Sequence, residues 1–170
     1  MKTKRLVLLG VLAACAMVFS YLETLIPPIF QAVPGIKIGL PNVIIVFILY
    51  RFSLKDACAI SLIKVLAAGI LFGNAMTLLY SFAGAVLSLT VMLILKKTNL
   101  FSTVGVSIAG GVSHNVGQII VAIILLQSAQ IGYYMIVLAI TGVISGAVIG
   151  LLGAGLLKST EKIKLFHQKN

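Results

Sequence analysis

The chain is 170 residues long, 61% hydrophobic and 9% charged, with a formal net charge of +10 and a mean hydropathy of +1.19. Soluble domains carry roughly a quarter charged residues, so water is excluded as the main solvent, and the length suits one membrane domain. The cations do not point to nucleic acid, because they form short clusters between apolar stretches and not one basic face. Cys15 and Cys58 both lie inside apolar segments, have no metal-ligand spacing and imply no disulfide framework.

About 20 apolar residues cross the ~30 Å hydrocarbon core of a bilayer at ~1.5 Å per residue. In chain order the sequence predicts spans at Leu6 to Ile26, Gly39 to Tyr50, Ala57 to Phe72, Ala75 to Leu95, Val104 to Leu126 and Tyr133 to Leu157, followed by a tail over 158–170. The expectation is an all-α, integral membrane bundle of six transmembrane helices. Lys2, Lys4 and Arg5 followed by Leu12-Ala13-Ala14-Cys15 have the pattern of a lipoprotein signal. The apolar run continues past Cys15 to Leu25 and Ile26, however, so the segment is read as the first span. The second and third spans are short, and Arg51-Phe52-Ser53-Leu54-Lys55-Asp56 between them reads as a tight polar turn. Gly142, Gly146, Gly150 and Ala154 recur every four residues on the sixth span and form a smooth strip for a neighbouring helix; Gly10 and Ala14, beside Ala13, form a similar one on the first. Tyr21, Tyr80, Tyr133 and Tyr134 fall near span ends and read as interfacial anchors.

Counting Lys and Arg in alternate connections gives a direction. One side holds Lys2, Lys4, Arg5, Arg51, Lys55, Lys96, Lys97, Lys158, Lys162, Lys164 and Lys169, and the other only Lys37. The positive-inside rule then places both termini in the cytoplasm.

Ionisable and amide side chains at membrane depth are costly, so each is a functional candidate. Glu23 sits near the outer end of the first span. Lys37 and Asn42 belong to the helix-breaking segment Pro34-Gly35-Ile36-Lys37-Ile38-Gly39-Leu40-Pro41-Asn42, expected to fold as a loop over the outer face. Lys64 falls within the third span and Asn74 at its outer end. His114 and Gln118 share a face of the fifth with Ser107 and Gly111, and Asn115 lies about 100° to one side. These residues predict a polar cleft opening outward, with Gly110, Gly111 and Gly117 leaving room for a ligand or a neighbouring backbone.

The acidic residues number 3, Glu23, Asp56 and Glu161. They cannot form the carboxylate cluster that holds magnesium on a diphosphate, no glycine-rich phosphate loop precedes Lys158-Ser159, and no metal or cofactor site is expected. Catalysis by this chain alone is not expected.

Val33-Pro34-Gly35-Ile36-Lys37-Ile38-Gly39-Leu40-Pro41-Asn42, Leu71-Phe72-Gly73-Asn74 and the run from Gly105 to Gln118 closely resemble the Gx transporter family. That family is also labelled heptaprenyl diphosphate synthase component I and is related to the substrate-binding S components of energy-coupling factor (ECF) transporters. The resemblance covers about Leu6 to Leu157. It implies an S-component-like binder of a small vitamin-like, flavin or quinone-precursor molecule in a bacterial plasma membrane. Partners would be membrane lipid, a scaffold subunit and ATPase subunits, with docking at Gly10, Ala13 and Ala14. The synthase label implies the alternative, a non-catalytic membrane subunit in making a quinone's isoprenoid tail. On the first reading the ligand meets Glu23, Lys37, Asn42, Lys64, Asn74, His114, Asn115 and Gln118.

Overall fold

The computed structural model describes residues 2–25 and 39–161. Among them are six α-helices and one 3-10 helix: α1 (Lys2–Thr24), α2 (Asn42–Arg51), α3 (Leu54–Phe72), α4 (Ala75–Thr98), α5 (Thr103–Leu126), the 3-10 turn Ala129–Tyr134 and α6 (Met135–Ser159). Four segments are long and apolar enough to cross a membrane by length and composition: Thr3–Thr24, Ala75–Thr98, Thr103–Leu126 and Ala129–Ser159. They present Val11, Val18, Ile94, Ile124, Ile144 and Leu151 outward, the apolar exterior that lipid requires. α3 has a spanning length but carries Lys55, Asp56 and Lys64.

α2 is the exception and the centre of the bundle. Its 10 residues rise only ~15 Å, half the hydrocarbon core. Every residue from Val43 to Leu49 is buried, packed between α1, α3 and α6 with Ala16, Leu89, Met92, Val106 and Ile149 around it. A helix apolar on all sides has to be enclosed by others, and that is what its run of Val, Ile, Phe and Leu encodes.

The predicted polar turn 51–56 is shorter than expected. Ser53 accepts from the Asp56 N–H, and the Asp56 carboxylate accepts from the Ser53 N–H, so this capping box starts α3 one turn before Ala57. Arg5 of α1 meets Asp56 at 2.6 Å and ties the start of α1 to the start of α3. Arg51 donates to the Thr160 carbonyl (3.0 Å) and Lys96 to the Leu49 carbonyl, so cations satisfy the open C-terminal ends of α6 and α2. Arg5, Arg51, Asp56 and Lys96 thereby gather at one end of the bundle. Tyr80, expected as an interfacial anchor, is buried instead, because its helix is held against α5 by small residues on both sides. Tyr21, Tyr133 and Tyr134 are exposed.

The glycine strip of α6 packs on α5. A Cβ on Gly142 would fall 3.0 Å from the Val112 Cα, on Gly146 2.7 Å from the Ile108 Cα, and on Gly150 2.7 Å from the Val104 Cα. In return Gly111 of α5 lies against the Gly142 carbonyl, and Gly117 against Ala83 and Gly84 of α4. The small residues of α5 therefore admit neighbouring backbones, and the room expected for a ligand at Gly111 and Gly117 is filled by protein.

Two outcomes follow from this packing. Gly146→Val is expected to lower stability by about 3 kcal/mol, the upper end for overpacking against atoms that cannot move, read as a lower melting temperature in detergent. Burial alone would raise the Asp56 carboxyl, but the hydrogen bonds from Arg5 and Ser53 outweigh it and hold the group below its ordinary 3.8. Stability from a depressed carboxyl is present above 3.8 and lost as pH falls through the folded value. Asp56→Asn should therefore flatten the loss of melting temperature between about pH 5 and about pH 3, as linkage requires, and an unchanged acid slope would show that the pair contributes nothing.

Candidate functional site

Toward the end of the bundle where α1 and α3 finish and α4 begins lies a cavity of about 50 Å³, lined by α1, α3, α4, α5 and the turn before α2. α3 runs ten residues from Leu54 to Lys64, a rise of ~15 Å, and α2 rises the same distance back from Arg51 to Asn42. The two therefore meet, and the Lys64 ammonium donates to the Asn42 Oδ1 at 2.7 Å. A lysine at the centre of a spanning helix costs about 2.5 to 3.5 kcal/mol to insert. One hydrogen bond to a charged group returns about 1.5 to 3 kcal/mol, so this contact offsets most of that cost.

The start of α2 is non-helical backbone inside the bundle, tolerated where protein or a polar cavity surrounds it. Asn42, Val43 and Ile44 donate to the carbonyls of Gly39, Leu40 and Pro41 at 2.8, 3.1 and 3.2 Å. Gly39 has φ +85°, a conformation that a side chain resists, and its N–H donates to the Glu23 carboxylate. Glu23 and Lys64 are both buried. The His114 ring packs on Gly84, where a Cβ would lie 2.8 Å from it, so Gly84 makes the space the imidazole fills. Gln118, one turn further along α5, completes the wall.

Of the residues expected in the site, Glu23, Asn42, Lys64, His114 and Gln118 surround this one cavity. Lys37 lies outside the described residues. Asn74 does not line the cavity; its side chain accepts from the Thr77 N–H at 2.9 Å and starts α4 as a capping residue. Asn115 is turned away too, because 100° around α5 is the α6 side, and it donates to the Leu138 carbonyl at 2.7 Å. Ser20, Thr77 and Ser81 line the cavity without having been singled out. Their spacing was the available signal: Ser20 sits three residues before Glu23, and Ser81 four after Thr77, each on one helix face. Among the described residues no group of three His, Cys, Asp or Glu could hold a metal ion.

Long apolar helices wrapped around a small polar cavity define a multi-pass helical membrane protein. The chain belongs to the heptaprenyl diphosphate synthase component I family, which it matches over residues 12–156. No curated protein and no solved structure matches it.

The geometry separates two asparagines that the sequence groups together. Asn115→Leu is expected to lower the melting temperature, since it removes the interhelical donor to the Leu138 carbonyl and leaves only the Thr141 hydroxyl on the same helix, at a cost of about 1 kcal/mol. A wild-type melting temperature in that variant would overturn the structural role.

Proposed function

We propose that the protein is the membrane-embedded substrate-binding component of an ECF-like transporter for a small molecule bearing an anionic or carbonyl group, such as a flavin or quinone precursor. The observation that supports this reading is the gathering of Glu23, Asn42, Lys64, His114 and Gln118 from separate elements around one cavity. Such groups are expensive in a membrane, and a purely structural bundle has no need to concentrate them. Lys64 would meet the anionic or carbonyl group, and His114 and Gln118 would add hydrogen bonds; Lys37 belongs to the same proposal from the sequence alone. By the positive-inside rule the end with Arg5, Arg51 and Lys96 faces the cytoplasm, which puts both termini there and the cavity toward the outside of a bacterial plasma membrane. A ligand of vitamin size needs a site of about 300 Å³ or more, so it would enter only as the cavity walls part.

The reading requires a scaffold and ATPase subunits. Gly10 has open space where a Cβ would stand, and Ala14 is exposed beside it, which suits the approach of a partner helix. The family name favours a second reading, a non-catalytic subunit of a heptaprenyl diphosphate synthase.

Affinity purification of the tagged chain from its native membrane separates the two. A co-purifying scaffold with ATPases supports the transporter component, and a soluble synthase with clustered aspartates supports the alternative. In native mass spectra a bound small molecule is expected on the wild type and absent from Lys64→Met and His114→Ala, with all three proteins inserting normally. Retention by both variants would remove the site assignment.

A further inference from the structure

The seam between α3 and α4 holds a second cavity of about 190 Å³, mostly apolar. Its floor is Ala85 and Leu89, both buried, and its rim is Leu62, Phe82 and Val86, all exposed, so the groove opens sideways toward the bilayer. None of the described residues that line it is charged.

One polar group in this wall is out of keeping with the rest. Ser61 is only 3% exposed, yet its hydroxyl makes no hydrogen bond among the described residues. Hydroxyls elsewhere in these helices turn back onto the carbonyl one turn earlier: Ser20 donates to Ala16 at 2.9 Å, Ser113 to Ala109 at 2.7 Å, and Thr90, in the same groove, to Val86 at 2.8 Å. The Ser61 oxygen is not sealed in by packing either, as that of Ser107 is, so the surface it keeps lies in the groove. A buried hydroxyl left unbonded is costly. Water is a poor partner here, since an ordered water needs about 2 to 4 polar neighbours and the wall around Ser61 is apolar apart from Cys58 and the already bonded Thr90.

We propose that the α3–α4 groove is a binding site for an uncharged molecule dissolved in the bilayer, an apolar body with one oxygen acceptor, and that Ser61 donates to that oxygen. A dry apolar cavity of ~150 Å³ takes a molecule of benzene's size, so this one holds a ring with a short substituent. An ionised group would be left without compensation in such a wall, which makes the ligand neutral. The acceptor is not the ester of a bilayer lipid. Ser61 stands five residues beyond Asp56, ~7.5 Å further along α3, whereas the Arg5–Asp56 pair belongs with the esters in the interfacial layer outside the hydrocarbon core. Neither Glu23 nor Lys64 lines the groove, so this site stands or falls apart from the polar cavity.

Cys58 lies one turn before Ser61 on the same face and is exposed, so its alkylation reports occupancy. The experiment uses the full chain with Cys15→Ala, in phosphatidylcholine nanodiscs, with N-ethylmaleimide as the reagent. The probes are acetophenone and isopropylbenzene, nearly equal in shape, one with a carbonyl oxygen where the other has a methyl group. At matched concentrations in the bilayer, acetophenone is expected to protect Cys58 about two- to ten-fold more strongly, the share of one neutral hydrogen bond. Ser61→Ala gives up no hydrogen bond within the described residues, and in it the two probes should protect alike. Equal or weaker protection by acetophenone in the unsubstituted Ser61 protein is the result for a groove filled by any hydrocarbon, and it overturns the proposal whether or not the variant folds. Absence of protection by both probes overturns it as well, and so does an acetophenone preference that persists in Ser61→Ala.

Discussion

The hydrogen bond from Lys64 to Asn42 is the contact on which the interior depends. α2 is too short to cross the membrane, so its first turn lies inside the bundle, where unpaired backbone and side-chain polar groups have no water to turn to. A charged residue on α3 at the same depth has the same difficulty. Each removes part of the other's cost, and the remaining polar groups arrange themselves around the pair: Glu23 holds the Gly39 N–H, and the Gly39 to Pro41 carbonyls close the helix start. A cavity lined by polar atoms is the consequence of ending a helix halfway.

That interior needs a rigid outer frame, and the frame is made of glycine. α4, α5 and α6 approach closely enough for Gly111, Gly117, Gly142, Gly146 and Gly150 to touch facing backbone. Without a hydrophobic drive between helices in lipid, this close packing supplies much of the association energy. It also fixes the rotation of α5, which sends Asn115 to α6 and leaves His114 and Gln118 on the cavity. The α3–α4 seam lacks such a strip over Leu62, Phe82 and Val86, and there the bundle stays open. Tight and loose seams in one molecule follow from where small residues were placed.

Much of this was legible in the sequence. The apolar segments are strong local signals, and the helix boundaries shift by only a few residues, as where the Ser53 cap extends α3 by a turn. The five cavity residues were legible because polar groups are rare enough at depth for each to be noticed. Asn115 and Asn74 were grouped with them for the same reason, although neither lines the cavity. Scarcity marks a polar residue but does not say which direction it faces, and that depends on packing 100° around a helix or on a cap three residues away. Tyr80 shows the converse: an aromatic near a span end resembles an anchor until the neighbouring helix is in place.

The distribution of charge carries the last step. At one end, cations meet the carbonyl ends of α2 and α6 and the part-buried Asp56 carboxylate, surroundings in which a Lys or Arg costs little. Lys64 is the described cation that stands apart from them, ~15 Å along α3. An apolar residue of similar length would fill its volume at no desolvation cost, as replacements of buried ion pairs by apolar side chains demonstrate. In this chain the hydrogen bond to Asn42 offsets most of that cost instead, so the polar start of α2 is what allows a lysine at that depth.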